Sequence, residues 1–187
     1  MDNITSLKDH FLIAMPTITD GIFAHSITYI CEHNQHGAMG LVINHPLDLS
    51  LDQIFDHLDI DDIQTSHHDK ILAGGPMHMD RGFVLHRNTD ANWESTLCVS
   101  DHIALTTSQD ILTAIAHNEG PSDSIVALGY ASWSEGQLES ELADNAWLTA
   151  PADSQIIFNT PIEQRAKAAA AKIGIDLALI SPTAGRA

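Results

Sequence analysis

Short apolar runs separated by turn-forming residues recur along the chain, and this pattern limits the possible folds more than any other feature. Runs of four to six residues are too short for most helices, and their β-branched and aromatic content favours strands. Eight segments fit this description: 11–15, 26–31, 40–44, 70–73, 83–87, 96–100, 125–129 and 155–158. Turn-forming residues at 34–37 predict that the second and third strands form a hairpin.

Four helix starts accompany these strands, each a hydroxyl residue followed three positions later by Gln, Asp or Glu. The pairs are Ser50 with Gln53, Thr107 with Asp110, Ser134 with Gln137, and Thr160 with Glu163, and their helices are expected to end near 58, 118, 144 and 174. Hairpins mixed with helices depart from the strict strand–helix alternation of a doubly wound sheet. The sequence therefore predicts an α+β fold with a mixed sheet. Its 187 residues, without repeats or linkers, predict a single domain over 1–187.

Acidic residues outnumber basic ones by 25 to 8, which gives a formal net charge of −17. Clustered Lys and Arg bind DNA and anionic membranes, so this balance argues against nucleic acid and membrane as partners. The apolar run at 11–15 is too short for a signal-peptide core or a membrane span. We therefore expect a soluble cytoplasmic protein in which Cys31 and Cys98 are free thiols.

Six groups of residues occur in order over nearly the whole chain. They are 9–16 (DHFLIAMP), 26–34 (SITYICEHN), 37–44 (GAMGLVIN), 74–76 with 81–86 (GGP and RGFVLH), 105–108 (LTTS), and 128–139 (LGYA, Trp133 and GQLE). In these segments the chain resembles the AlgH/YqgE family of bacterial proteins, which are often labelled transcriptional regulators. The resemblance implies one compact α+β domain whose mixed, mostly antiparallel sheet is bifurcated or barrel-like and surrounded by helices. It implies no established activity and no identified DNA-binding element.

The first candidate site lies where the second predicted strand ends, at Glu32, His33 and Asn34. Cys31, His33 and His36 are residue types that bind zinc, and a cysteine beside a histidine also suits nucleophilic catalysis. A second pair of ligands at a recognised spacing is missing from the sequence, so we predict no metal site. The favoured interpretation is a polar turn that fixes the hairpin, with Cys31 packed as a small apolar residue.

The second candidate site combines Gly74 and Gly75 with Arg81 a few residues later. Glycine amides line anion-binding concavities in many proteins, and a nearby guanidinium suits a carboxylate or phosphate. The spacing matches neither a Walker A loop nor a dinucleotide fingerprint, so we predict no nucleotide and no other cofactor. The alternative interpretation is a tight connection between strands, with Arg81 neutralising part of an acidic surface.

Tyr130, Trp133, Gln137 and Glu139 surround the start of the third predicted helix. Aromatic side chains in this position suit a pocket or a partner surface. Core packing is the favoured interpretation, because the helix carries leucines four residues apart, at 138 and 142, which define an inward-facing side.

Three functional hypotheses remain. The first and favoured one is a non-catalytic binding or regulatory module that acts through a protein partner or a small anionic ligand. The second is an enzyme whose acid, base and anion clamp come from Glu32, His33, Arg81 and His86. The third is a regulator that binds DNA directly, which is disfavoured because the segments 108–118 and 135–144 contain no Lys or Arg. Convergence of the candidate residues on one cleft favours the enzyme, and dispersal favours the binding module.

Overall fold

Ten strands form one curled, half-barrel sheet in the computed structural model, which describes residues 5–19 and 21–180. They are β1 (His10–Ala14), β2 (Ile27–Asn34), β3 (Gly37–Val42), β4 (Pro46–Ser50), β5 (Lys70–Ala73), β6 (Met77–Arg87), β7 (Thr96–Cys98), β8 (Ile103–Thr106), β9 (Ser124–Ser134) and β10 (Trp147–Pro151). The α-helices of the described residues are α1 (Leu51–His57), α2 (Asp110–Ala116), α3 (Gln137–Ala143), α4 (Ser154–Phe158) and α5 (Arg165–Lys172). The predicted α+β class and mostly antiparallel sheet are confirmed.

Strand β9 organises the sheet because it pairs with three other strands. Its second half runs antiparallel to β3, with Ala131 opposite Gly40, and its first half runs parallel to β5, with Ala127 opposite Leu72. Both of these partners lie along one edge of β9, while β6 runs antiparallel along the other edge. The sheet therefore forks where β3 and β5 separate.

Close backbone contacts at this fork account for three glycines. A Cβ atom on Gly74 would lie 2.4 Å from the Gly129 carbonyl oxygen, and one on Gly75 would lie 2.1 Å from the Tyr130 carbonyl carbon. The Gly74 amide donates a hydrogen bond to the Leu128 carbonyl oxygen at 2.8 Å. Gly129 has a φ of 76°, a left-handed conformation that glycine adopts without steric cost.

The apolar core divides between the two faces of the sheet. On the inner face, α4 and α5 cover a cluster that includes Phe11, Tyr29 and Phe83. On the outer face, α1 and α2 cover one cluster and α3 covers another. Alternate residues of a strand point to opposite faces, and Phe83 and Val84 of β6 follow this rule, because they belong to the inner and outer clusters respectively.

A buried histidine fastens α3 to the outer face. His33 Nδ1 accepts a hydrogen bond from the Leu7 amide at 2.9 Å, and His33 Nε2 donates one to Glu139 Oε1 at 2.7 Å. Burial opposes ionisation of Glu139, but hydrogen bonds from its own amide and from His33 outweigh burial and hold its pKa below the usual range. His33 therefore ties the N-terminal segment, β2 and α3 together.

Two indoles reinforce the attachment of α3. Trp133 and Trp147 both donate their Nε1–H to Glu141 Oε2, at 2.9 and 2.8 Å. Trp133 is 5% exposed and Leu138 is fully buried, so the prediction of core packing is confirmed at both positions.

The predicted hairpin and the first helix start are also confirmed. Strands β2 and β3 pair with Asn34 opposite Gly37, and Asn34 Oδ1 accepts a hydrogen bond from the His36 amide at 2.8 Å across the turn. The Ser50 amide donates to Gln53 Oε1 at 2.9 Å where α1 begins.

Four predictions of local structure are wrong. Helix α3 begins at Gln137 after Gly136 and not at Ser134, although the Ser134 amide donates a hydrogen bond to Gln137 Oε1. Residues 155–158 belong to α4 and not to a strand, because the Asp153 carboxylate accepts a hydrogen bond from the Gln155 amide and caps a helix there. Helix α2 begins at Asp110, whose carboxylate binds the Ser108 hydroxyl and the Glu94 amide, so Thr107 does not cap it. The last helix begins at Arg165 and not near 160, because residues 162–164 form a 3₁₀ turn.

The fork geometry predicts that Gly129→Ala destabilises the protein. The new Cβ would meet the Gly75 carbonyl oxygen at 2.4 Å, in a left-handed backbone conformation, and we expect a loss of at least about 2 kcal/mol in the free energy of unfolding. Urea denaturation measures this loss. Gly82→Ala, in the same region of the sheet but with open space around its Cβ, should change stability by less than about 0.5 kcal/mol. Equal effects of the two substitutions would contradict the steric argument.

His33→Ala should also destabilise the fold, by about 1–3 kcal/mol, because it leaves the partly buried Leu7 amide and Glu139 without their partner. The matched control is His36→Ala, which removes an exposed imidazole two residues beyond the end of β2 and should have an effect below about 0.5 kcal/mol. Thermal unfolding of both variants measures the difference. A His33 variant as stable as the wild type would show that these hydrogen bonds contribute nothing.

Candidate functional site

An open cavity on the inner face brings together Glu32 and Arg81, two of the residues singled out from the sequence. We name it the Glu32–Arg81 cavity; its volume is about 580 Å³. Its lining comes from strands β2, β3, β6, β7, β8 and β9, from the residue before β7 and from the residue after β8: Glu32, Met39, Arg81, Phe83, Ser95, Thr96, Leu97, Leu105, Thr107 and Tyr130.

An irregularity in β2 turns Glu32 toward this cavity. Ile30 pairs with Gly40 and Glu32 pairs with Met39, so Cys31 is an extra residue between the two pairs. A bulge of this kind re-aims the side chains that follow it. Cys31 packs into the inner cluster, and Glu32 lies beside Met39 on the same face.

A larger irregularity places Arg81 and Tyr130. Met77 pairs with Tyr130 and Gly82 pairs with Leu128, so residues 78–81 of β6 stand opposite the single residue Gly129. Gly129 also interrupts the regular alternation of inner-facing and outer-facing side chains along β9. Ala127 packs in the inner cluster, and the next side chain of β9 that contacts this cluster is that of Tyr130, three residues later. The His78 ring stacks on the Tyr130 ring at 5.8 Å between centroids.

Arg81 gives the cavity its positive charge. Its guanidinium carbon lies 5.8 Å from the centroid of the Phe83 ring, a cation–π contact that positions the group at the cavity wall. Within the described part of the chain, no carboxylate oxygen lies within 4.0 Å of the Arg81 nitrogens. Arg81 is therefore able to bind an anion, and the exposed Glu32 carboxylate offers an acceptor in the same cavity.

The other sequence candidates lie elsewhere. His33 is on the outer face with Glu139, and Asn34 closes the hairpin turn. Gly74 and Gly75 are buried at the fork of the sheet and do not line the Glu32–Arg81 cavity. The structure thus brings together two of the seven candidates.

His86 is buried on the outer side of β6, away from Arg81. Its Nδ1 donates a hydrogen bond to the Arg87 carbonyl oxygen at 2.8 Å, and its Nε2 accepts one from Thr106 Oγ1 at 2.8 Å. Burial lowers the pKa of His86, and the bond to Arg87 opposes this effect only in part. The ring also meets Trp93 edge-on at 5.2 Å between centroids, so a neutral, fully engaged imidazole occupies this position.

The Cys31 thiol is buried in the inner cluster, as predicted. Burial raises its pKa far above the usual range; Glu32 adds to this effect and Lys8 opposes it. His33 is on the opposite face of the sheet, so the two side chains do not form a thiol–imidazole pair. Over the described residues, no group of three His, Cys, Asp or Glu side chains is arranged to hold a metal ion.

Sequence reasoning missed most of the apolar wall. Met39, Phe83 and Leu105 belong to three strands, and only the register of the sheet places them around one opening. The sequence suggested Tyr130 as a pocket or packing residue; its side chain lines the cavity and also packs against the inner cluster.

None of the helices in 5–19 and 21–180 is long and apolar enough to cross a membrane.

Comparison with solved structures supports the fold. The solution structure of the AlgH protein from Pseudomonas aeruginosa is 49% identical in sequence, with a TM-score of 0.79 over 100% of this chain and 99% of that one. A crystal structure of a Corynebacterium diphtheriae protein is only 16% identical, but its TM-score of 0.68 over 89% of this chain shows that the fold is shared.

Comparison of sequences identifies the family. A UPF0301 protein from Saccharophagus degradans is 54% identical over 97% of this chain and 89% of its own length. Another, from Thioalkalivibrio sulfidiphilus, is 54% identical over 98% of both chains. The model of the AlgH-like family matches residues 11–178. The resemblance seen in the sequence is therefore confirmed, and the chain belongs to the AlgH-like family.

Proposed function

We propose that this protein is a non-catalytic binding module of the bacterial cytoplasm that takes a small anionic ligand in the Glu32–Arg81 cavity. The observation that carries the proposal is an Arg81 guanidinium held against Phe83, without a carboxylate partner among the described residues. The volume, about 580 Å³, falls within the range of small-molecule sites.

The lining defines the chemistry of the ligand. Arg81 binds its carboxylate or phosphate group, and Glu32 accepts a hydrogen bond from an amine or hydroxyl on the same molecule. Met39, Phe83 and Leu105 contact an apolar portion. With a formal charge of −17, most of the protein surface repels anions, so the Arg81 guanidinium, which has no carboxylate partner among the described residues, gives this site its selectivity.

The dispersal of the imidazoles supports binding over catalysis. An acid–base enzyme needs a titratable group within hydrogen-bond reach of the substrate. His33 and His86 are 6% and 1% exposed, and both of their ring nitrogens are engaged by protein groups. Neither histidine lines the cavity that holds Arg81.

A protein partner is the second candidate, and exposed apolar residues near Arg81 favour it. Met77, Met79 and Leu97 are 41%, 49% and 37% exposed, and Leu97 lines the cavity itself. Methionine, tyrosine and arginine are enriched at protein interfaces. A partner with an acidic group seated on Arg81 would use the same chemistry as the small ligand.

Replacing Arg81 with glutamine tests the proposal. The wild-type protein is screened by thermal shift against carboxylates, amino acids and phosphate monoesters, and a bound compound raises the melting temperature. Arg81→Gln should weaken the affinity for that compound by about tenfold to a hundredfold, because a charge-assisted hydrogen bond contributes about 1.5–3 kcal/mol. Isothermal titration calorimetry measures the change.

Lys167→Gln is the charge-matched control, since Lys167 is exposed on α5 and remote from the Glu32–Arg81 cavity. It should leave the affinity unchanged. A ligand whose affinity survives Arg81→Gln would move the site elsewhere. If no compound stabilises the wild type, but Arg81→Gln and Lys167→Gln differ in capture of a protein from lysate, the second candidate replaces the first.

A further inference from the structure

Arg165 is a buried cation in a protein that has few cations. It begins α5, is 6% exposed, and directs its side chain toward two backbone carbonyl groups. Its Nε donates to the Thr160 carbonyl oxygen at 3.0 Å, and its Nη1 donates to the Ile43 carbonyl oxygen at 2.6 Å. These bonds fix the plane of the guanidinium between the end of β3 and the turn before α5.

The charge of Arg165 lacks a counter-charge in the residues that the structure describes. No carboxylate oxygen lies within 4.0 Å of its nitrogens, whereas the less buried Arg87 pairs with Asp123. Burial lowers the pKa of Arg165, and the more distant Glu163 opposes this only in part. A buried charge that is hydrogen-bonded but lacks a counter-charge is unfavourable, and a bound anion would relieve this cost.

A polar cavity of about 550 Å³ lies beside this guanidinium. Arg165 is part of its wall, together with Ser122 and Ser124 of the segment that enters β9 and Lys70 at the start of β5. Asp69 and Asp123 also line it. Asp123 is already bound by Arg87, and Asp69 is exposed.

We propose that this cavity is a second, separate site, which binds a small oxyanion through Arg165. A guanidinium has five N–H donors, and the Thr160 and Ile43 carbonyl groups accept two of them. The remaining donors form the fork that matches two oxygens of a phosphate or carboxylate. The Ser122 and Ser124 hydroxyls line the same cavity and offer further donors. This cavity shares no lining residue with the Glu32–Arg81 cavity.

Held by two carbonyl groups, the guanidinium is already in one orientation before the anion arrives, so little conformational entropy is lost on binding. The negative net charge of the chain opposes the approach of polyanions from solution. A small anion that reaches the cavity meets a cation that the surrounding protein shields from water. The electrostatic attraction between the two charges is therefore stronger than it would be in bulk water. The geometry therefore selects a small oxyanion over a polyanionic chain.

The test follows the Arg165 side chain directly in the intact protein. Inorganic phosphate and, separately, sodium acetate are titrated against sodium chloride at equal ionic strength, while ¹H–¹⁵N spectra record the arginine Nε–H signals and the backbone amides. The Arg165 Nε–H and the Ser122 and Ser124 amides should shift saturably with one of the two anions, whether or not the Arg81 Nε–H also responds. The anion that saturates at the lower concentration identifies phosphate or carboxylate as the preferred group.

Two variants complete the test. Arg165→Gln keeps a donor for a carbonyl group but removes the charge, and it should weaken the affinity for the anion at least tenfold. Lys167→Gln, two residues along the same helix and exposed, should keep the wild-type affinity. The proposal is overturned if the Arg165 signal in the wild type does not saturate with either anion, a result that needs no variant to fold. It is also overturned if Arg165→Gln binds as tightly as the wild type. Because Arg81→Gln leaves this cavity intact, failure of the proposed function at Arg81 would be visible independently.

Discussion

The close approach of two backbones, at Gly74–Gly75 and Gly129–Tyr130, is the constraint on which the rest of this structure depends. It allows β9 to hold β3 and β5 along one edge, so the inner and outer apolar clusters form around a single strand. A side chain at Gly74, Gly75 or Gly129 would separate the strands at the fork, because its Cβ would meet backbone and not a movable side chain. Apolar burial stabilises the domain, but contact between bare backbones decides where the sheet divides.

Two breaks in strand alternation then determine which side chains meet. The extra residue Cys31 leaves Glu32 on the inner face and His33 on the outer face, although the two are neighbours in sequence. The excursion of residues 78–81 opposite Gly129 brings Arg81 and Tyr130 to the same cavity. The result separates the candidate residues by role: Glu32 and Arg81 face an opening, while His33 and His86 complete buried hydrogen-bond networks. This division favours a module that binds over one that catalyses.

Sequence patterns correctly predicted those elements that depend on interactions between residues close together in the chain. Strand β5 was predicted with its observed bounds, and the turn at Asn34 and the pair of Ser50 with Gln53 follow from side chains that bind nearby backbone. Strands β4, β8 and β10 were missed: Pro46 and Asp48 interrupt the first, and β8 and β10 are short. The burial of Arg165 could not be foreseen at all, since the carbonyl group that holds it belongs to Ile43, 122 residues earlier. Contacts at such separation depend on the finished topology.

The position of β9 also sets the order of events during biosynthesis. Its partners β3, β5 and β6 leave the ribosome before residues 124–134, and β1 finds one of its two neighbours only in β10, at Trp147–Pro151. Until those segments emerge, the N-terminal strands have unsatisfied edges and exposed apolar faces, which are the features that chaperones recognise and that drive aggregation. A topology rich in such distant pairings also belongs to the slower-folding class of small domains. A chain that ends before β10 therefore leaves one edge of β1 unpaired and cannot complete the native sheet.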